Sequence, residues 1–310
     1  MPQIETKRRL GEEDLAEVAA LLAAARAADG HAPLGEHKWL DLVQGGRAGF
    51  AGFVAREPGH QALVGYAQLS RGEDSWAVEY VVHPARRDGG EGAEGERIAG
   101  ELLRAALDEA RRGGGGHLHL WVPKPTAAND RVAAALGLRR GRELLQLRRP
   151  LPIEEELAAA AVATRPFCVG EDERAWLEVN ARAFAGHPEQ GGWDLSTLHD
   201  REGLAWFDPG GFLLLERAGH LAGFCWTKVH ADESPALGEI FVIGVDPSHQ
   251  GEGLGRALLA AGLVHLAGVG VATAMLYVDA DNAAATALYA SFGFSVDHHD
   301  LAYVTDLAPA

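Results

Sequence analysis

The sequence predicts an α/β protein built from two copies of one unit, each a mixed central β-sheet flanked by helices. Two observations carry the prediction. Segments rich in β-branched residues alternate with stretches whose apolar residues recur every three to four positions, the period of a helix with one buried face. The order of these segments then repeats. EYVVHPARRDGG (79–90) answers FVIGVDPSHQG (241–251) when His83-Pro84 is set against Asp246-Pro247, and each is followed by a helix, a short strand and an alanine-rich helix.

Each half opens with a short strand and one or two helices, at about 12–28 and 34–43 in the first and about 172–185 and 194–200 in the second. Strands follow at about 50–56, 62–70 and 76–82, and at about 211–217, 221–229 and 237–245. The last of these, LGEIFVIGV, stops at Asp246-Pro247 as a strand running into a loop does. Helices come next at Ile98–Arg112 and Leu254–Ala267, the second with Leu254, Leu258, Leu259, Leu263 and Leu266 as its buried stripe. Strands HLHLWV (117–122) and AMLYV (274–278) precede helices that end at Gly137-Leu138 and Gly293-Phe294. Between the halves, PLPIEEELAAAAVATRP (150–166) has prolines at both ends and an acidic, alanine-rich middle, and reads as a partly helical linker. The expected division is residues 1–149, a linker at 150–163, and 164–310.

A chain of 310 residues has room for two separate cores, and its formal net charge of -16 argues against DNA or RNA and for a small or cationic substrate. Cys168 and Cys225 are far apart and lack metal spacing. His117 and His119 share a strand face and DHHD (297–300) looks metal-like, but neither has a third ligand at plausible spacing, so no metal is expected. The N-terminus has charges without an apolar stretch behind them, and no run of eighteen apolar residues occurs anywhere. A soluble, cytoplasmic, monomeric protein is expected.

The most informative stretch is VDPSHQGEGLGRALL (245–259). A strand ends there, a glycine turn follows and an amphipathic helix begins at once. Gln250, Gly251, Glu252, Gly253, Leu254, Gly255 and Arg256 leave the backbone little covered, so amide N–H groups and the positive end of the helix can converge on a phosphate, with the Arg256 charge beside them. The competing possibility is a plain β-turn-α connection that binds nothing.

With Asn282 and Tyr289 in the next helix and Gly293-Phe294 closing it, this strand and loop resemble the GCN5-related N-acetyltransferase (GNAT) family, in which the loop holds the pyrophosphate of acetyl-CoA. The tandem halves, with HPEQGGW (187–193), WTKVH (226–230), GEIFVIGVDP (238–247) and LYVDADNAAA (276–285), resemble the tandem mycothiol synthase family of actinobacteria. The resemblance implies two tandem GNAT domains, acetyl-CoA as co-substrate, and transfer of acetyl to the cysteinyl amine of a cysteinyl-glucosaminyl-inositol. It further implies coenzyme contacts at Ile243, Gly244 and Val245, along the glycine loop, and at Asn282, Ala283, Ala284, Ala285, Thr286 and Ala287. Substrate contacts are implied at Glu36, Glu189, Lys228, Glu239 and Tyr277. Taken singly, each of these five is as readily a surface charge or a core tyrosine.

The chemistry asks for a base to deprotonate the amine and an acid to protonate the departing thiolate. Glu239, several residues before the strand's end, is the expected base, and Tyr289, two helical turns beyond Asn282, the expected acid. The alternatives are a solvated carboxylate and a tyrosine packed in the core. Backbone N–H groups of Ile243, Gly244 and Val245 could face the thioester carbonyl if Gly244 permits a bulge, which would also splay the strand from its neighbour; Gly244 could equally serve packing alone.

In the first half, Trp76 aligns with Glu239 and Ala133 with Tyr289, and the loop RRDGGEGAEGER (86–97) is lengthened and acidic. That half is therefore expected to be catalytically silent. The backbone of Tyr80, Val81 and Val82 remains its candidate coenzyme contact. Two other functions fit the same residues: acetylation of another small amine or a protein N-terminus, and a CoA-binding module without turnover.

Overall fold

The computed structural model of the chain describes residues 2–45, 48–57, 59, 62–72, 75–87, 93–185 and 190–310, with backbone alone at 36, 37, 40, 44 and 93. In chain order the elements begin with β1 (Gln3–Lys7), α1 (Glu12–Asp29), α2 (Glu36–Gln44), β2 (Ala51–Arg56), β3 (Leu63–Arg71) and β4 (Ser75–Val82). Next are α3 (Ala93–Arg112), β5 (Gly116–Pro123), α4 (Ala127–Ala135), β6 (Arg139–Pro150), α5 (Glu155–Ala158) and β7 (Arg165–Pro166). The remainder are α6 (Glu173–Ala183), α7 (Leu195–Glu202), β8 (Phe212–Arg217), β9 (His220–His230), β10 (Leu237–Val245), α8 (Leu254–Gly268), β11 (Thr273–Asp279), α9 (Ala283–Ser291) and β12 (Ser295–Leu307).

The expected α/β class with mixed, helix-flanked sheets is what forms. The chain folds into two compact units, Met1–Leu144 with His299–Ala310, and Leu145–His298. This division differs from the one expected at 149/150 and 163/164, chiefly at the C-terminus. Residues 300–307 of β12 run antiparallel to β5 of the first unit, from Asp300 opposite Pro123 to Leu307 opposite Gly116. The stretch read as a linker begins as the end of β6 and continues into the single turn of α5, and Leu157 of that turn, with Leu151 and Ile153 before it, packs into the second unit's core.

In the first unit the strand order is β1-β2-β3-β4-β5-β12-β6, with β4 and β5 parallel. One face is covered by α3, where Leu102, Leu103 and Ala106 pack on Val78, Leu118, Leu120 and Tyr303. The other is covered by α1 and α2, through Val18, Leu21, Ala25 and Leu42 against Val54, Tyr66 and Val81.

In the second unit the order is β6-β11-β10-β9-β8-β7, with β10 and β11 parallel and β9 antiparallel to both β10 and β8. The leucine stripe predicted for α8 packs on Cys225, Ile240 and Leu276. Gly262 lets the helix approach closely, since a Cβ there would stand 2.5 Å from Cys225 Sγ. The opposite face, under α6, is aromatic: Trp176, Phe212, Phe224 and Trp226 are buried together with Val242. Among the described residues no helix is long and apolar enough to cross a membrane.

Candidate acetyl-transfer site

The site of the second unit is shaped by a bulge in β10. Against β9 the register runs Glu239↔Lys228 and Ile240↔Thr227, then slips so that Val242 faces Trp226, Ile243 Cys225, Gly244 Phe224 and Val245 Gly223. Phe241 is the extra residue. Ile240 packs toward α8, whereas Phe241 and Val242 both join the aromatic face, so the alternation of side chains restarts at this point. The expected bulge at Gly244 is thus moved to Phe241. Gly244 keeps regular register, and a Cβ there would meet Phe224 Cζ at 2.9 Å, so packing accounts for it.

The parallel ladder of β10 with β11 consists of Gly238↔Ala274 and Glu239↔Met275, at the start of both strands. Past the bulge, β10 from Phe241 to Val245 keeps β9 on one edge and leaves the other facing a slot toward β11. Alternate N–H groups of that stretch, which includes Ile243, Gly244 and Val245, point into the slot.

Glu239 sits at the entrance and is 7 % exposed. Its Oε2 lies 2.7 Å from His230 Nε2, so the ring N–H donates to the carboxylate. Lys228, directly opposite in the ladder and also buried, holds its ammonium 4.3 Å from the Trp206 ring centroid and 5.5 Å from that of Phe241. Trp206, Trp193 and Phe241 are in ring contact with one another or with Trp226. His230 was not among the sequence candidates; it stands two residues after Lys228 on the same strand, and a period of two puts both on one face.

Tyr289 lies on the other face of the sheet. It belongs to the α8-side core, is 7 % exposed, and burial pushes its phenol up to about 12, with Cys225 adding in the same direction. Glu239 and Tyr289 are thus brought to opposite faces beside the splayed strands. Tyr277, half-exposed on β11, accepts a hydrogen bond from Gln146 Nε2 at 2.7 Å. Glu189 and the side chain of Glu36 lie outside the described residues.

The glycine loop follows β10. Asp246 caps the turn Pro247–His249, accepting from Ser248 Oγ at 2.6 Å and Ser248 N–H at 2.9 Å, while its second oxygen takes two N–H groups of Arg182. The Ser248 hydroxyl first, then its N–H and the Arg182 charge, hold the Asp246 carboxyl down at about 2 against burial. Gly251 (φ +83°) and Gly253 (φ +76°) are in the left-handed region, and a Cβ on either would meet no atom within 4 Å. Gly253 caps α8 without a side chain, and the first turn closes only with Ala257 N–H donating to Gly253 O. The N–H groups of Leu254, Gly255 and Arg256 are therefore the ones a helix end leaves for a ligand.

Gln250 is exposed at the turn, and His249 Nδ1 lies 3.1 Å from Glu252 Oε1. Arg256 is tied to the next helix, donating to Ser291 Oγ at 3.0 Å and lying over the Phe292 ring. Asn282 caps α9 by accepting from Ala285 N–H, and Thr286 Oγ1 donates to the Asn282 carbonyl; Ala283, Ala284 and Ala287 complete that exposed first turn. This open cradle of glycines and helix N-termini fits a pyrophosphate.

The first unit departs from this arrangement in its central strand. Its β4 runs without a bulge against β3, so in ladder register the counterpart of Glu239 is Ala77, and Trp76 corresponds to Gly238. The alignment with Trp76 is corrected by that one-residue slip. Ala133 does correspond to Tyr289, for both accept from the N–H groups three and five residues on, at the end of a helix closed by a left-handed glycine. Tyr80 Oη is bonded by Asn129 Nδ2 at 2.8 Å, Val81 is buried against α1, and the Val82 carbonyl accepts from Arg87 Nε. The loop at 88–92 lies outside the described residues.

Comparison with known proteins agrees with this arrangement. The acetyltransferase (GNAT) family profile matches residues 174–294, which contain the bulged strand, the loop and α9. A tandem GNAT protein from the clavulanic acid biosynthesis pathway superposes with a TM-score of 0.71 over all of both chains at 19 % identity, a likeness of fold. The fold and the loop define an acetyltransferase of the GNAT class. The mycothiol acetyltransferase of Acidimicrobium ferrooxidans is 45 % identical over 94 % of each chain. That of Streptomyces coelicolor is 45 % identical over 98 % of this chain and 95 % of its own. The chain belongs to the mycothiol acetyltransferase family.

Proposed function

We propose that the second unit transfers acetyl from acetyl-CoA to the cysteinyl amine of cysteinyl-glucosaminyl-inositol, forming mycothiol, with Glu239 as base and Tyr289 as acid. The observation that carries the mechanism is the position of Glu239, a buried carboxylate at the mouth of the slot opened by the Phe241 bulge. The acceptor is the one that the resemblance to this family implies. Acetyl-CoA, when bound, supplies the activated acyl group.

The N–H groups of the glycine loop and of the first turn of α8 would hold its pyrophosphate, with the first turn of α9 alongside. Those of β10 that face the slot would offer donors where negative charge develops. Glu239, oriented by His230, takes a proton from the acceptor amine directly or through a water. The raised phenol of Tyr289 keeps its proton at neutral pH and holds it for the departing sulfur. Lys228 and the aromatic rings about it form the acceptor side, and the resemblance to the family implies Glu36, Glu189 and Tyr277 as further substrate contacts. The first unit, with alanine at both proton-transfer positions, serves as scaffold.

The test is incubation of the purified chain with acetyl-CoA and the cysteinyl pseudodisaccharide, following products by mass. Acetylated product is expected, and Glu239→Gln should lower kcat/KM by about 10²-fold or more. Absence of product overturns the proposal; turnover with other amines only would favour a broader amine acetyltransferase. A Glu239→Gln rate and pH profile equal to the wild type would remove Glu239 as the base.

A further inference from the structure

Away from the acetyl-transfer site, α6 and α7 bring together three metal-ligating side chains that no motif in the sequence connects. Glu173 is the first residue of α6, while His199 and Glu202 stand one turn apart near the end of α7. One oxygen of each carboxylate and one ring nitrogen of His199 lie within 4.8 Å of one another. The cluster is acidic, and its charges are poorly answered. Glu173 is buried and, among the described residues, accepts only from the Gly170 N–H. The Glu202 side chain is 9 % exposed, and its buried Oε1 has no hydrogen-bond partner among the described residues. Among the described residues no lysine or arginine pairs with either carboxylate. His199 Nε2 stands 4.0 Å from Glu202 Oε2, too far for a hydrogen bond.

Two buried carboxylates this close repel, and an oxygen shut away from water without a donor is costly. A proton shared between the glutamates would relieve the repulsion but would leave the imidazole unused. A cation answers all three groups. In a tetrahedral site with bonds of about 2.1 Å, ligand atoms stand about 3.4 Å apart, so these three need to close by at most about 1.4 Å. One nitrogen and two carboxylate oxygens form a borderline donor set that suits zinc, whereas magnesium and calcium favour oxygen throughout.

We propose that Glu173, His199 and Glu202 form a site for a divalent transition-metal ion, zinc foremost, that braces α6 against α7. The brace bears on the acceptor side, because α7 also carries Arg201, whose guanidinium lies 3.8 Å from the centre of the Trp193 ring. Trp193 in turn contacts Trp226 and Phe241. The ion takes no part in proton transfer; it fixes the helix pair that frames the aromatic floor.

The test uses the full chain without an affinity tag, stripped with a chelator, passed through gel filtration after exposure to zinc or magnesium chloride, and examined by metal analysis and thermal melting. One zinc per chain and a Tm raised by a few degrees are expected, by linkage of binding to folding. His199→Ala, at an exposed side chain, should fold normally and lose both the retained zinc and the Tm shift. Glu202→Gln should melt higher than the stripped wild type, because the repulsion is gone, yet fail to retain zinc. No zinc on the wild type, or equal retention by His199→Ala, overturns the site. An equal response to magnesium overturns the choice of metal.

Discussion

At the scale of single residues, the two proton-transfer candidates have opposite settings, and those settings make Tyr289 the more testable. Glu239 is a carboxylate partnered by an imidazole at the edge of an opening, whereas Tyr289 is a phenol within an apolar core. Burial raises the Tyr289 pKa to about 12, so the protonated form needed for an acid persists across neutral pH and is lost only as pH climbs toward that value. Any alkaline decline of kcat below about pH 10 must then come from another group. Tyr289→Phe should slow turnover roughly 10-fold or more and leave the Kd for acetyl-CoA nearly constant, with the same decline, if any, below pH 10. A large loss of affinity at normal kcat would make Tyr289 a binding residue instead. Lys228 stood out only through the family resemblance and its apolar stretch FCWTKV, whereas Glu239 and Tyr289 were recognisable in the sequence from their places on the loop-bearing strand and two helical turns beyond Asn282. His230 was not, since its meeting with Glu239 depends on cross-strand register, and nothing local in WTKVH announces that.

At the scale of elements, the loop and α8 were legible because their signals are local: a leucine stripe, a glycine turn, a proline after a strand. The position of the bulge was not, because LGEIFVIGV is apolar on both faces and hides the residue at which alternation restarts. The long strands β6 and β12 were missed for a related reason. RRGRELLQLRRP and SVDHHDLAYVTDL are rich in charge, and their pairing partners are distant in sequence. The glycine loop permits a controlled test of its role. Gly253 at φ +76° and Gly270 at φ +88° flank the two ends of α8, and a Cβ on either would meet no protein atom within 4 Å. Alanine at each carries the same left-handed strain, about 1 kcal/mol. Gly253→Ala should therefore lower the Tm about as much as Gly270→Ala, but it alone should raise the Kd for acetyl-CoA, roughly 10-fold, by placing a methyl group in the anion cradle. Equal Kd values for the two variants would show that the loop does not hold the coenzyme.

At the scale of the whole molecule, the repeat is legible in the sequence but the closing of each copy is not. Two tandem units suggest two contiguous pieces, yet the last twelve residues, 299–310, belong to the first unit. Leu301, Tyr303 and Leu307 are buried in the α3-side core, and Tyr303 Oη donates to Asp130 at 2.9 Å. Burying three such side chains contributes on the order of 5 kcal/mol. That is comparable to the whole stability of a domain, about 5–15 kcal/mol. Residues 1–149 expressed alone should accordingly fail to melt cooperatively and should be cut rapidly by protease. His299 Nδ1 lies 2.9 Å from Glu143 Oε1, so the end of 1–144 and the start of 299–310 are neighbours that a short glycine-serine linker can join. The fragment 1–144 joined in this way to 299–310 should show one cooperative transition and resist proteolysis. If residues 1–149 alone melt as sharply and as high as the joined fragment, the C-terminal strand is dispensable to the first unit and the contiguous division is the correct one.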